Sequence, residues 1–310
     1  MASTSIARIG QAKTFWRILK SVSLSEIERD AARPISFAVV GAATERASVI
    51  AHLYEGASDA TAADRAVESF ANTSEETGFP QDPGAFDIAI DAGGGRVDPP
   101  PGAHIVSVAE IGDWERVVER LLDLRPDLLL AMARRFPGLR TAVCARIISE
   151  TATANAQLAM LNALPGVIPG LGVLLPTSLL GDIVLLTKNQ AIMLLRLAAA
   201  HDLPLDLRAR MQDLAPLLGN AFGWRAVARE LVAVVPGGVG VAARGAIAYS
   251  GTYTLGHAVH RLYAYGQRPT RAQLAALYRE ARGHARGIVG GLAKAIGDRR
   301  PKRKALPPAE

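Results

Sequence analysis

Between Glu150 and Asp182 the chain runs for 31 residues without a charged side chain. Apolar surface on that scale must be buried, in a helical core or in lipid, because each Å² left in water forgoes roughly 25 cal/mol. Pro165-Gly166, Pro169-Gly170 and Pro176 interrupt the run. Each proline removes an amide donor and clashes with the preceding turn, which disrupts a simple straight span, although membranes tolerate such breaks where neighbouring helices satisfy the freed carbonyls. A hairpin dipping into a bilayer and a buried helix pair in a soluble bundle both fit. A second uncharged run, 231–243, holds Pro236-Gly237-Gly238, meets Arg244, and resumes over 245–256. On insertion scales an arginine at mid-bilayer costs about 2.5–3.5 kcal/mol. Arg244 is therefore expected to face protein, paired with Asp182 or Glu230. With a helix over 183–200 between the two runs, residues 126–290 read as an all-α domain of apolar hairpins.

Upstream the period changes. Apolar runs at 35–40, 86–90 and 105–108 read as strands, and 48–54 and 114–124 as helices. Short buried strands alternating with helices predict a small, mostly parallel α/β sheet over 31–125. Before it, residues 5–30 have the spacing of an amphipathic helix, with Phe15, Trp16, Ile18 and Leu19 among charged residues, ended by Pro34. The chain thus divides into an N-terminal helix (1–30), the α/β part, the helical part and a tail (291–310).

Composition narrows the function classes. Hydrophobic residues make up 49% and charged residues 21%, with a mean hydropathy of +0.17, between soluble and multi-span membrane chains. One cysteine, Cys144, excludes an internal disulfide framework and a multi-cysteine metal site. The N-terminus lacks the apolar core and cleavage site of a secretory signal. The net charge of +6 gathers at 298–304, where five cations stand with one anion. Such a tail suits an anionic lipid surface or is a solvated end. No nucleic-acid reader accompanies it, so no nucleic acid is expected as a partner.

The stretch 37–53, FAVVGAATERASVIAHL, has the outline of a phosphate-binding loop. In such a loop glycines let backbone N–H groups converge on phosphates, a lysine reaches the β- and γ-phosphates, and a Ser/Thr hydroxyl holds Mg²⁺. Gly41 and Ser48 keep their places, but Arg46 stands at the second glycine and Ala47 at the lysine. Asp91-Ala-Gly-Gly94 matches the loose Asp-x-x-Gly pattern that contacts Mg²⁺ in GTPases, read here as a glycine-rich turn after the second strand. Gly41, Ser48, Asp91 and Gly94 are the candidate nucleotide site of a degenerate fold. No cofactor is expected; GTP is the one weighed.

The segment MARRFPGLRTAV (132–143), with the apolar stretches 162–205 and 234–270, resembles a helical domain of unknown function found with bacterial GTPase-type proteins and in YcjF-like membrane proteins. The resemblance covers roughly 130–285, with a weaker match over 10–125. It implies membrane association, at the cytoplasmic face of a bacterial inner membrane, and supplies no reaction. Without membrane binding, the cytoplasm is the alternative.

Within the helical part, Asp182, Lys188, Asn189 and Gln190 are polar groups in an apolar pattern and must find partners. They are the expected inter-helix polar network. His257 and His260, three apart on a helix, read as a surface or core pair rather than metal ligands, and Tyr249, Tyr253, Tyr263 and Tyr265 as an interfacial belt or packed core. The reading that results is a non-enzymatic, membrane-associated scaffold or adaptor with a pseudo-GTPase domain, open to homo-oligomerisation. Its alternatives are a low-affinity GTP binder and a soluble helical interaction protein.

Overall fold

The computed structural model describes residues 23–58, 60, 64–65, 69–71, 73, 78–94, 98–163, 178–206, 210 and 239–298, with backbone alone at 83, 163, 178–184, 239–240 and 292–298. These form two compact units. The first takes its residues from Lys20–Ile147 and Ile192–Arg210, the second from Ile148–Ala191 and Met211–Glu310.

The first unit is built on a parallel sheet of order β1-β2-β3: β1 Phe37–Gly41, β2 Ile88–Gly93 and β3 Ile105–Ser107. β1 is buried at every residue, which is why it reads as a continuous apolar run rather than an alternating one. Helix α1 (Leu24–Ala32) precedes it, with Pro34 two residues beyond. The part of the predicted N-terminal helix before residue 23 lies outside the described residues. On the far side of β1 the chain returns at Phe70, in a parallel bridge to Phe37; Ala71 N–H donates to the Phe37 carbonyl at 2.9 Å and the Thr73 hydroxyl to the Val39 carbonyl at 2.8 Å. Phe37 stacks on Phe136 with ring centroids 4.3 Å apart, and Tyr54 meets the same ring edge-on at 5.9 Å. These large rings supply much of the core.

Helix α2 (Ala43–Leu53) follows β1, and α3 (Val108–Ile111) follows β3. Helix α4 (Trp114–Leu124) shows how its sequence dictates it: the Asp113 carboxylate caps the Glu115 N–H, and Val117, Val118, Leu121 and Leu122 form the buried stripe. Helix α5 (Leu129–Arg135) completes this region. Two long helices, α6 (Arg140–Ala163) and α7 (Ser178–Ala200), each contribute residues to both units. Asp202, beyond the end of α7, has φ of 55° and accepts Arg134 at 2.8 Å and Arg65 at 3.5 Å.

The second unit is helical. Helices α8 (Val239–Tyr265) and α9 (Arg271–Asp298) form a hairpin through Gly266. α8 runs against α6 at close range: a Cβ on Gly256 would sit 2.6 Å from Ile148 Cγ1, and one on Gly245 2.6 Å from Met160 Cγ. Small residues at these positions let the two backbones approach.

A small parallel α/β part accompanied by a helical part is therefore observed. Element boundaries differ from the sequence expectation, with β1 and β2 each starting two residues later than expected and α7 starting five residues earlier. α2 begins at Ala43, five residues before the predicted start. Asp91, read as part of a turn, lies inside β2, which continues to Gly93. The third strand ends at Ser107 because Val108 already opens α3.

Candidate functional site

Three of the candidate nucleotide residues, Gly41, Asp91 and Gly94, lie toward the carboxyl ends of β1 and β2, where open α/β sheets hold ligands. Gly41, with φ of 138°, pairs with Gly93 across a register shift in the ladder. A Cβ on Gly41 would fall inside contact distance of the Gly93 carbonyl oxygen, and one on Gly94 would sit 2.6 Å from the Ala42 Cβ. Both glycines are thus required by the approach of two backbones. Ala42 is the only residue between β1 and α2; its N–H donates to Gly93 at 2.9 Å and its carbonyl accepts Arg46 N–H at 3.0 Å. Residues 43–45, which a phosphate loop would leave open before its helix begins, are already helix.

Gly41, Gly94 and Asp91 are brought to one end of the sheet, whereas Ser48 is exposed within α2, beyond its first turn. Arg46 is half-buried, and its Nη1 atom is enclosed without a hydrogen-bond partner among the described residues. The Asp91 carboxylate accepts the Gly93 N–H at 3.0 Å with one oxygen and the Ser107 hydroxyl at 3.1 Å with the other. Ser107 Oγ in turn accepts the Glu110 N–H at 3.4 Å and caps α3. The sequence alone does not show this Asp91–Ser107 link; the Ser–x–x–Glu spacing of 107–110 is the signal that marks the cap.

Beside this end lies an open groove with a volume of about 860 Å³. Asp91, β3, Glu110 and Ile111 of α3 and the face of α4 carrying Arg116, Glu119, Arg120 and Asp123 line it. The buried stripe of α4 faces the core, so these four charged side chains occupy its other face.

In the same unit Cys144 is fully buried, with Sγ 3.8 Å from His201 Nε2. Burial pushes its thiol up to about 12, against the nearby Arg140 guanidinium, which pulls it down. At that value the thiolate, the nucleophilic form, is scarce at neutral pH.

In the helical unit the Asn155 amide donates to Thr252 Oγ1 at 2.9 Å and its oxygen accepts Asn189 Nδ2 at 2.8 Å. Gln190 Nε2 reaches the same Thr252 hydroxyl at 3.3 Å. Three helices are tied by this chain of amides. Asn155 is its centre and is wholly buried, yet its surroundings in sequence are small and neutral, so it does not stand out there. Lys188 is half-buried on α7, and the Asp182 side chain lies outside the described residues, as does Glu230. The proposed partners of Arg244, half-buried on α8, are therefore not among the described side chains.

Further along α8, the Tyr253 hydroxyl donates to Glu280 Oε1 at 3.0 Å, and its ring packs on His257 at 4.2 Å and edge-on to His284 at 5.6 Å. Burial, with Glu280 beside it, raises the Tyr253 phenol; burial lowers His257. Tyr249 is buried and stacks on Tyr253 at 5.8 Å, whereas Tyr265 is 68% exposed beneath the Arg261 guanidinium. The tyrosines thus occupy different environments. Among the described residues, no helix is long and apolar enough to cross a membrane. Comparison with family models, with curated proteins and with solved structures finds no match for this chain.

Proposed function

We propose that the chain is a non-catalytic scaffold or adaptor whose α/β unit is held in one state and whose helical part brings it to a membrane. The observation that carries the first half is the one-residue link between β1 and α2. A triphosphate cradle needs several converging N–H groups in an open loop, and here the corresponding residues are already helical. Ala47 offers no cation, and both Asp91 oxygens hold protein donors. A domain without differential affinity for a ligand has nothing to switch its states.

The membrane half is supported by the uncharged runs, by the resemblance to YcjF-like membrane proteins, and by Leu161 and Leu185. These two side chains, 53% and 47% exposed, stand near the ends of α6 and α7 that border residues 164–177.

Calorimetric titration of the purified chain with Mg²⁺–GTP and Mg²⁺–ATP tests the first half. No saturable heat is expected, and Mg²⁺-dependent binding in the micromolar range replaces the scaffold with a residual nucleotide binder. Carbonate extraction of expressing cells tests the second. Retention in the pellet is expected; complete release with a monodisperse, detergent-free product rejects embedding. A pellet emptied by salt alone points instead to anchoring through the basic tail.

A further inference from the structure

The groove runs beside a strand at the margin of the sheet. Among the described residues β3 is the last strand of the sheet. In a parallel ladder, alternate residues of a strand address the same neighbour. The His104 carbonyl accepts the Ala89 N–H at 2.8 Å, so the backbone groups of Ile105 and Ser107 face away from β2, and both residues line the groove. An edge of this kind is a template for another extended chain.

The groove's charge selects what that chain would be. Its lining has four carboxylates, Asp91, Glu110, Glu119 and Asp123, against two guanidiniums, Arg116 and Arg120. Local pairing does not cancel the imbalance. Asp123 is taken by Arg146 at 2.5 Å and Arg116 leans to Asp113 at 3.7 Å, which leaves three acids facing one arginine. Glu119 is exposed on α4 and Glu110 on α3, and Ile105 and Ile111 give the groove an apolar floor.

We propose that this groove binds an extended cationic peptide segment, added in parallel or antiparallel fashion to the open edge of β3, with lysine or arginine side chains over Glu110 and Glu119. Backbone pairing supplies the extended geometry, and the acids choose the sign of the side chains. The proposal is independent of the state of the Gly41–Ser48 region.

Fluorescence anisotropy on the full chain tests it, with a labelled heptapeptide of alternating valine and lysine as the probe. Three competitors accompany it: the same peptide N-methylated at alternate residues, its valine–glutamate counterpart, and spermidine. The lysine peptide is expected to bind saturably, the N-methylated and glutamate peptides not to compete, and spermidine to compete only weakly. Glu119→Lys, on an exposed helix face, should weaken binding about five- to ten-fold, as expected for reversal of one charge contact; Glu110→Lys serves if the first variant melts early. The proposal is overturned by an absence of saturable binding, which would make the acids mere guards of the strand edge, or by unchanged affinity in a normally folded Glu119→Lys chain. Equal competition by the N-methylated peptide or by spermidine overturns it too, since either reduces the interaction to charge alone. Repeating the titration with Mg²⁺–GTP present separates the two readings: nucleotide binding defeats the fixed-state scaffold and leaves the peptide groove standing.

Discussion

Gly41 and Gly93 face each other across β1 and β2 with no room for a methyl group between the Gly41 Cα and the Gly93 carbonyl oxygen. The φ of 138° at Gly41 adds a conformation that side chains of L residues rarely adopt. Gly41→Ala is therefore expected to destabilise the chain by roughly 2–4 kcal/mol, from overpacking and backbone strain together. The midpoint of urea unfolding reads this directly. A glycine kept only for phosphate contact would leave the midpoint where it was.

Asn155 holds the helical unit through two amide contacts, so Asn155→Ala leaves Thr252 and Asn189 short of a partner. The loss is expected to be about 2–3 kcal/mol. Paired with Asn189→Ala in a double-mutant cycle, it should show a coupling of about 1 kcal/mol. Additive losses would mean that the two side chains act separately.

The Cys144 thiol titrates near 9.0 when ordinary and at about 12 in the folded chain. Between those values the folded state holds a proton that the unfolded state has released, so this group's contribution falls as pH rises from about 9 toward about 12. Cys144→Ala should flatten the wild-type loss of stability across that window relative to neutral pH. The same burial predicts that a thiol reagent labels Cys144 at pH 8 only after denaturant is added; prompt labelling of the native chain contradicts it.

Asp127 accepts Arg125 Nε at 2.9 Å and Arg33 Nη1 at 2.8 Å. The Arg125 guanidinium, with Arg33 as a lesser partner, holds its carboxyl down at about 2, against an ordinary 3.8. A depressed carboxyl contributes stability that is complete above 3.8 and lost as pH falls through about 2. Because the side chain is 48% exposed, Asp127→Asn should cost no more than about 1 kcal/mol at pH 7. The difference from wild type should shrink as pH falls from about 4 and vanish only below about 2; a gap that persists there assigns the effect to packing.

How legible these features were depends on how local their causes are. Both ends of α4 are readable because Asp113 supplies a cap and four apolar residues follow at helical spacing. The start of α2 is not, because Ala42 caps nothing and the Gly41 that seems to open a loop instead serves a contact with Gly93, over fifty residues away. The same distance hides the end of β2: the glycines at 93 and 94 look like a turn until the strand beside them is known. Asn189 and Gln190 stand out in sequence because their neighbours are apolar. Asn155 escapes notice, since what makes it central is its burial between other helices. Ser107 presents a serine three residues ahead of a glutamate, a sign of its cap, while its bond to Asp91 needs the register of β2 on β3.

The all-parallel order of the sheet has a kinetic consequence. Phe37 meets Ile88 and Ala89 meets Ile105, so among the described strands no pairing arises from a tight hairpin and each must wait for a distant one. Ring closure over such separations slows barrier crossing. Helices such as α8 and α9, whose hairpin closes through Gly266, can collapse much sooner. The sheet is thus the step at which synthesis of this chain is most exposed to misassembly, and the β3 edge, which pairs with no further strand among the described residues, is the surface that would be sticky while the chain waits.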